Sequence, residues 1–386
     1  MFINLIVISN FMTIEQLLLF WILLDSPYML YLAFRIAKNG YKKTKIKDLV
    51  TILIPAYNEG VCIEKTLKSC IKQTYRPLEI IVINDGSTDN TKEVVENFIK
   101  KHKEHDIKLI NQENRGKASA MNNGLKHAKG KYIVTIDADS YLKRDAIERI
   151  TEKFYSEDIG AVAGNIIPIS QSKILGFIQK VEYELGIRVM RNAQSYFGGV
   201  VCTPGAFSIY KKDALKRFEE GTITEDFDTS IAILERGYKV IASIDAVCYT
   251  QAPASISYLI KQRVRWQQGA YEVFAKHMFT KKRLAVSIEM FIIFFYAFYG
   301  LFPRLMIYLY PIVWSSFYAL IVFFMYSCMI YSIQLSLGRP ENKKMYLIMP
   351  LFIAYYYTII LYSSLVAQIK VIKNNTRWEK LKRYHM

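Results

Sequence analysis

Short apolar runs alternate with polar segments of helical periodicity between residues 50 and 136. Strands that alternate with helices in this way form a parallel sheet that helices cover on both faces. The pattern therefore predicts a Rossmann-like α/β domain. Its four predicted strands are Val50–Pro55, Leu78–Asn84, Ile107–Ile110 and Tyr132–Ile136.

Two long apolar regions flank this predicted domain. The first, from about Ile14 to Ile36, is long enough for one membrane-spanning helix, and it lacks the basic start of a cleaved signal peptide. A cluster of Lys and Arg follows it, which places the α/β domain in the cytoplasm by the positive-inside rule. We therefore predict an anchor at residues 1–40, the cytoplasmic domain at 48–282, transmembrane helices at 283–370 and a basic tail at 371–386.

The number of C-terminal spans is left open by the charge pattern. Length favours about three spans: two in the apolar run near 284–332, and one at Met345–Ile369 after a polar loop at Gly338–Lys344. Three spans would put the basic tail outside, whereas two or four would put it inside, where Lys and Arg are preferred. A re-entrant or interfacial helix would remove the conflict.

Composition agrees with a membrane protein that has a charged, water-facing domain. Hydrophobic residues make up 52% of the chain and charged residues 22%, and the net charge is +17. The sequence contains no zinc-finger, RRM or helix-turn-helix pattern, so the positive charge indicates anionic lipid rather than nucleic acid. Because the five cysteines form no C-x-x-C pair and the histidines no H-E-x-x-H motif, a metal would need oxygen ligands.

Polar residues follow the first two predicted strands, where α/β sheets bind ligands. The first strand leads into Pro55, Tyr57 and Glu59, and the second into Asp85, which could accept hydrogen bonds from a base or a ribose. This arrangement predicts a nucleotide pocket. The alternative is a pair of ordinary strand-to-helix turns, since Asp-Gly-Ser favours turns. Ser87, Thr88 and Asp89 are also predicted to cap the next helix.

Two carboxylates follow the fourth strand, at Asp137 and Asp139. They would repel each other unless a cation lay between them, and oxygen ligands suit Mg²⁺ or Mn²⁺, which also bind diphosphate. Asp139 as a helix cap is the alternative. Upstream, Lys117 follows Gly116 at a predicted helix start and could neutralise phosphate, unless it belongs to a solvated basic helix end.

Two further motifs carry candidate catalytic and acceptor residues. Glu225 and Asp226 form an acidic pair, in which Asp226 is the predicted general base and Asp228 its local competitor. Downstream, three residues share one helical face and could hold a diphosphate and a sugar ring. They are Gln262, Arg265 and Trp266. Alternatively, Arg263 and Arg265 of the same segment touch lipid headgroups on an interfacial helix.

Taken together, the motifs resemble those of the family 2 processive β-glycosyltransferases, which include cellulose, hyaluronan and poly-N-acetylglucosamine synthases. The matching pieces are ILIPAYNE, VINDGSTDNT, NRGKASAMNNGL, TIDADS, TEDFD and QRVRW, in family order. The resemblance implies a GT-A fold, a UDP-sugar donor, Mg²⁺ or Mn²⁺, inversion at the anomeric carbon and a channel of membrane helices. It also implies uridine binding at Tyr57–Glu59 and Asp85, and diphosphate and metal binding at Asp137 and Asp139.

The stretch QRVRWQQGAYEVFAKH is similar to that of bacterial poly-β-1,6-N-acetylglucosamine synthases. We therefore expect a multi-pass plasma-membrane enzyme that moves N-acetylglucosamine from its UDP donor to an exported polysaccharide, with the bilayer and an accessory membrane subunit as partners. A non-processive transferase with a lipid or lipid-linked acceptor is the alternative. A non-catalytic scaffold is a third possibility, but it would not need the full set of carboxylates.

Overall fold

The computed structural model describes residues 29–37, 43–277 and 317–373. Eight strands of the described chain form a single sheet in the order β3-β2-β1-β4-β7-β6-β8-β5. All four predicted strands are confirmed. They are β1 (Val50–Ala56), β2 (Leu78–Asp85), β3 (Ile107–Gln112) and β4 (Tyr132–Ile136).

The first half of the sheet is parallel and lies between helices. β1 pairs with β2 on one side and with β4 on the other, and β2 pairs with β3. Every residue of β4 is buried, as expected for a strand that is covered on both faces. The covering helices are α1 (Ile63–Ile71), α2 (Thr91–Lys101) and α3 (Lys117–His127).

The second half of the sheet is mixed. β7 runs antiparallel to β4 and to β6, β8 runs parallel to β6, and β5 is antiparallel to β8 at the edge. These four strands were not predicted, because their sequence lacks the regular alternation of the first half. Their bounds are β5 (Ser140–Leu142), β6 (Ile159–Ile169), β7 (Phe207–Lys211) and β8 (Lys239–Gln251).

Further helices lie between these strands in the chain and after the last of them. α5 (Lys173–Tyr183) continues into a π-helical segment, Glu184–Arg191, before α6 (Asn192–Ser195) begins. We call α5, this π-helical segment and α9 the interface helices. The α-helices here are α4 (Ala146–Thr151), α5 (Lys173–Tyr183), α6 (Asn192–Ser195), α7 (Lys212–Leu215), α8 (Glu225–Glu235) and α9 (Ile256–His277).

The C-terminal apolar region contains two helical stretches that are long and apolar enough to cross a membrane, Ile321–Gly338 and Met349–Ile372. α10 (Phe317–Gly338) contains the first, and a 3₁₀ turn at Lys343–Met345 follows it. The second is a continuous stretch of α11, a π-helical segment and α12. Their bounds are Met349–Tyr355, Tyr356–Ile360 and Leu361–Ile372.

These apolar helices pack on the interface helices through a shared core that includes Val181, Leu259, Leu335 and Phe352. The span predicted at Met345–Ile369 is Met349–Ile372 in the structure, because Met345 belongs to the 3₁₀ turn that precedes it. Residues 1–28, 38–42, 278–316 and 374–386 lie outside the described residues. The rest of the predicted N-terminal anchor, the first part of the predicted 284–332 region and most of the predicted basic tail at 371–386 therefore lie outside them too. Of the anchor, residues 29–37 are helical.

Candidate functional site

The candidate site lies at the carboxyl ends of β1, β2 and β4, where the strand order reverses between β1 and β4. The loop after β1 is fastened to the loop after β2. Asn58 Oδ1 accepts a hydrogen bond from the Thr88 amide at 2.7 Å, and the Asn58 amide donates to Ser87 Oγ at 2.9 Å. Asn58 has a φ of 53°, a left-handed conformation that asparagine tolerates.

The predicted capping of α2 by Ser87–Asp89 is therefore wrong for Ser87 and Thr88, which bind Asn58 instead. Only Asp89 acts at the helix start, where its Oδ1 accepts from the Thr91 amide at 3.0 Å. Its other oxygen accepts from the Gly60 amide at 3.1 Å. The two strand-end loops thus form one hydrogen-bonded unit.

Asp85, at the end of β2, is buried and fixes the loop that precedes α3. Its Oδ1 accepts from Gln112 Nε2 at 2.8 Å and from the Arg115 amide at 2.9 Å. Its Oδ2 accepts from the Gly116 amide at 2.9 Å. Gly116 has a φ of 88°, which favours glycine, so this residue lets the chain turn directly into Lys117. Pro55 lies in β1, with Tyr57 and Glu59 in the loop beyond it.

The segment after β4 is held by α1. The Thr66 hydroxyl lies 2.7 Å from the carbonyl oxygen of Ala138 and 2.6 Å from that of Ser140. Asp139 is buried, and its Oδ1 accepts from Ser140 Oγ at 3.1 Å. Because a strand rather than a helix begins at Ser140, the alternative of Asp139 as a helix cap is wrong. Asp137, by contrast, is partly exposed.

Lys117 joins three of the predicted motifs. Its Nζ lies 2.7 Å from Asp137 Oδ1 and 3.0 Å from Glu225 Oε1. Burial acts to lower the pKa of Lys117, but Asp137, Glu225 and Asp226 outweigh it and raise the pKa above its ordinary value. The side chain is therefore a fixed positive charge between the acidic groups, and the alternative of a solvated basic helix end is wrong.

Asp226 lies at the start of α8, facing the loop before β7. Its Oδ2 accepts from the Gly205 amide at 2.9 Å, and its Oδ1 accepts from the Phe227 amide at 2.8 Å. Burial raises the pKa of Asp226 and the neighbouring Glu225 raises it further, more than Lys117 and the amides lower it. A carboxylate with a raised pKa is a stronger base than an ordinary one.

Asp228, the competitor for the role of base, has a different environment. It is fully buried, and its carboxylate is 2.8 Å from Lys276 Nζ and 2.7 Å from His277 Nε2. Thr222 Oγ1 donates a third hydrogen bond at 3.1 Å. These contacts fasten α8 to the end of α9, so Asp228 has a structural role and Asp226 is the one that faces the site.

The QRVRW segment lies in α9, and the structure separates its residues. Arg263 is only 2% exposed and forms an ion pair with Glu182, so the alternative in which it touches headgroups is wrong. Gln262 Oε1 accepts a hydrogen bond from Arg263. Arg265 is half-buried and forms no ion pair within the described ranges. The Trp266 ring centre lies 6.2 Å from that of Tyr183.

Tyr183 connects this segment electrostatically to the carboxylates after β4. Burial raises the pKa of Tyr183 to about 12, and the charges of Glu182 and Asp139 also raise it. Arg263 and Arg191 act in the opposite direction. The Trp266 side chain of α9 therefore packs beside a tyrosine whose pKa responds to the charge of Asp139 after β4.

Sequence reasoning missed Gly205, which lies against Lys117 and Asp226, and Arg191, whose charge acts on the Cys202 thiol. A Cβ atom on Gly205 would lie 2.6 Å from Lys117 Nζ and 3.4 Å from Asp226 Oδ2, so no larger residue fits without a shift. The Pro204-Gly205 turn was the only signal for it. Burial raises the pKa of the Cys202 thiol to about 12 and the charge of Asp226 raises it as well, whereas the charge of Arg191 lowers it. Nothing in the sequence pattern marks Arg191.

Oxygen ligands for a divalent cation are available only as a pair. No group of three or more His, Cys, Asp or Glu side chains in residues 29–37, 43–277 and 317–373 is arranged to hold a metal alone. Mg²⁺ is commonly bound by one or two carboxylates together with substrate phosphates. Asp137 and Asp139 fit that mode, with a nucleotide diphosphate supplying further oxygens.

Comparison with known proteins agrees with this geometry. The family model described as Glycosyl transferase family 2 matches residues 51–218. The chain is 38% identical over 250 residues to the poly-β-1,6-N-acetyl-D-glucosamine synthase of Staphylococcus epidermidis, covering 63% of this chain and 60% of that protein. It is 35% identical over 283 residues to the synthase of the same name from Staphylococcus aureus strain COL, covering 71% and 68%. The first alignment thus spans less than two thirds of that relative.

Among solved structures, the fold is similar to that of a mannosyltransferase from Pyrobaculum calidifontis in complex with GDP-Man and Mn²⁺. The TM-score is 0.66 at 21% identity, and the match covers 91% of this chain and 95% of that one. The expected GT-A, Rossmann-like α/β fold is therefore confirmed. The two described apolar stretches leave the expected number of flanking membrane helices undecided.

Proposed function

This chain belongs to glycosyltransferase family 2, and we propose that it transfers N-acetylglucosamine from UDP-N-acetylglucosamine to a growing polysaccharide. The observation that carries the proposal is the convergence of Asp137, Glu225 and Asp226 around Lys117. The relatives at 35% and 38% identity are named poly-β-1,6-N-acetyl-D-glucosamine synthases, which supports this sugar and a polymeric product.

The donor nucleotide would bind on the Asp85 side of the crevice. A carboxylate offers about four acceptor positions. Three donors already bind Asp85, so one position is left for an N–H of the uracil ring. Pro55 and the Tyr57–Glu59 loop would form the wall beside the base. Lys117, at the start of α3, would then reach the diphosphate as a positive charge.

Asp139 and Asp137 would hold Mg²⁺ or Mn²⁺, with Asp139 as the more firmly fixed ligand because Ser140 orients it. When bound, the cation would neutralise the diphosphate and so favour its departure as UDP. Lys117 pairs with Asp137 and Glu225, so Glu225 would still hold its charge beside the diphosphate once Asp137 binds the cation. A solved structure of similar fold contains Mn²⁺, which supports a divalent ion.

Asp226 would act as the general base. It takes the proton from the acceptor hydroxyl, whose oxygen then forms a bond to the anomeric carbon while the bond from that carbon to the UDP oxygen breaks. Attack from the face opposite to UDP inverts the anomeric configuration. Glu225 supports the base by keeping its pKa raised and by holding Lys117 in place.

The acceptor would bind at the Trp266 end of α9. The Trp266 ring offers an apolar face for a sugar, Arg265 a charge for the leaving diphosphate, and Gln262 hydrogen bonds. We further propose a multi-pass plasma-membrane protein with a cytoplasmic catalytic domain, since the two apolar stretches pack directly on the interface helices. The polymer would leave along these helices, with an accessory membrane subunit as a possible partner.

The proposal is tested by giving the purified full-length protein in lipid a panel of UDP-sugars, with Mg²⁺ or Mn²⁺, and measuring UDP release and product size. We expect release with UDP-N-acetylglucosamine above the other sugars, and a polymer as product. The Asp226→Asn variant, incubated in parallel, measures background hydrolysis. Release without any polymer, and only single-sugar lipid adducts, would favour the non-processive alternative. No release with any UDP-sugar would reject the proposed donor class.

A further inference from the structure

A cluster of three side chains, with Arg263 and Tyr355 buried and Glu182 half-buried, lies next to Trp266. It joins α9 to a second interface helix, α5, and to an apolar helix. Its members are Arg263 on α9, Glu182 on α5 and Tyr355 on α11. We propose that this Arg263 cluster positions the Trp266 ring, so that the apolar helix carrying Tyr355 sets the geometry of the acceptor end of the site. The proposal rests on the acceptor role proposed for Trp266.

The ion pair at the centre of the cluster has a fixed geometry. Arg263 Nε lies 2.9 Å from Glu182 Oε1, and Arg263 Nη2 lies 2.6 Å from Glu182 Oε2. Two parallel hydrogen bonds define the plane of the guanidinium as well as its position. Arg263 is 2% exposed, so water does not compete for these bonds.

The guanidinium in turn fixes the indole ring. The Arg263 Cζ atom lies 4.3 Å from the centre of the Trp266 ring, within the range of a cation–π contact. Tyr183 packs beside the same ring, with its ring plane tilted by 56°. The orientation of Trp266 therefore depends on where Arg263 is held.

Tyr355 completes the cluster from outside the α/β domain. Its hydroxyl donates a hydrogen bond of 2.8 Å to Glu182 Oε2, the same oxygen that Arg263 Nη2 contacts. Tyr355 is buried, and it lies in the apolar stretch Met349–Ile372. Through this bond, a movement of the apolar helix would be passed to Glu182, then to Arg263 and to the Trp266 ring.

The central test is Tyr355→Phe, which removes one hydrogen bond and keeps the ring. Removing either ionic partner would instead leave a buried charge uncompensated and could prevent folding. The matched control is Tyr346→Phe, since the Tyr346 hydroxyl makes a single hydrogen bond of 3.0 Å to Ser336 in the same apolar region, away from Glu182. Both variants are compared with the wild type as full-length protein in lipid.

For Tyr355→Phe we expect the KM for a short β-1,6-linked N-acetylglucosamine acceptor to rise about tenfold, the size of effect that one hydrogen bond to a charged group allows. The KM for UDP-N-acetylglucosamine and the kcat at saturating acceptor should stay at the wild-type values. Tyr346→Phe should match the wild type throughout. The proposal would be overturned by an acceptor KM equal to that of Tyr346→Phe. It would also be overturned if the KM values for donor and acceptor rose by the same factor.

Hydrogen–deuterium exchange gives a readout that does not need activity. Amides in residues 262–267 should exchange faster in Tyr355→Phe than in the wild type or in Tyr346→Phe, because the contact holding this part of α9 is weakened. If the wild type consumes no UDP-N-acetylglucosamine, the proposed function fails. If amides 262–267 also exchange at the same rate in Tyr355→Phe and in Tyr346→Phe, the proposed role of the cluster fails as well. Normal wild-type synthesis with equal exchange would reject the cluster alone.

Discussion

At the scale of single residues, Asp226 and Asp228 show how environment assigns different roles to two carboxylates on one helix. Asp228 is fully buried and bound by Lys276 and His277, and its pKa is lowered because these partners outweigh the effect of burial. Asp226 accepts hydrogen bonds from two backbone amides and lies near Lys117, and its pKa is raised because burial and the charge of Glu225 outweigh these partners. The sequence could not separate the two, because the partners of Asp228 lie about fifty residues further along the chain.

This difference predicts opposite outcomes for the two Asn variants. Asp226→Asn removes the base and keeps the size of the side chain, so we expect UDP binding to stay the same and transfer to fall by about 100-fold or more. Isothermal titration with UDP and a radiolabelled transfer assay would measure the two effects. Normal turnover by this variant would remove Asp226 from the role of base.

Asp228→Asn is the matched control. It removes one charge from the buried network around Lys276 and His277, so we expect a free energy of unfolding that is lower by about 3 kcal/mol or more. Its folded fraction should still transfer sugar at a rate within a few-fold of the wild type. A large loss of transfer at full stability would assign Asp228 to the chemistry instead.

Asp139→Ala tests the cation site. The variant keeps Asp137 and the nucleotide pocket around Asp85, so UDP should still bind weakly, whereas the increase in affinity on adding Mg²⁺ or Mn²⁺ should be lost. UDP titrations with and without the metal, compared between this variant and the wild type, measure that difference. An unchanged response to excess metal would exclude Asp139 as a ligand.

At the scale of elements, α8 and α9 are joined by a titratable contact. His277 Nε2 lies 2.7 Å from Asp228 Oδ1, and its Nδ1 lies 2.9 Å from Glu235 Oε1. Burial lowers the pKa of His277, but the two carboxylates outweigh it and raise the pKa above the ordinary 6.5. Protonated His277 therefore stabilises the helix that carries Asp226, and this stabilisation is complete below pH 6.5 and disappears as the pH rises through the raised pKa.

We expect the His277→Gln substitution to make the free energy of unfolding depend less on pH. Near pH 6 the variant should unfold at a lower temperature than the wild type, by the equivalent of about 1–3 kcal/mol, and the difference should shrink as the pH is raised towards about 9. Thermal unfolding in detergent across this range measures it. A difference that grows with pH would contradict protonation of His277 in the folded protein.

The elements also show where the sequence was informative. β1, β2 and β4 are parallel to one another and buried on both faces, and β3 extends them at the sheet edge. Each of the four reads as a short apolar run, and all four were predicted to within two residues. β6, β7 and β8 form a mixed sheet whose pairing depends on distant strands, and local periodicity does not encode it. The candidate site shows the same difference between what local sequence indicates and what depends on distant residues. The sequence indicates which motif residues are candidates, but the bridge made by Lys117 and the burial of Arg263 depend on tertiary packing.

At the scale of the whole molecule, the two apolar stretches each bury one side and expose another. On Met349–Ile372, Leu351, Tyr362, Leu365 and Ile369 recur at helical spacing on the exposed side. The opposite side packs on α9, where the Tyr271 hydroxyl contacts Ser364 at 2.7 Å. An exposed apolar stripe of this length is unfavourable in water and suits a lipid environment. The catalytic domain would then be held directly against the membrane.

A charge placed on the exposed stripe of Ile321–Gly338 distinguishes lipid from water around that helix. Met325 is 66% exposed near the middle of α10, and an Arg at the centre of a membrane-spanning helix costs about 2.5–3.5 kcal/mol in a bilayer but little in water. We therefore expect Met325→Arg to reduce the amount of protein that resists carbonate extraction from membranes by several-fold. Tyr155→Arg is the control, because Tyr155 is 39% exposed on the α/β domain, outside the apolar helices. Equal recovery of the two variants would mean that lipid does not surround this helix.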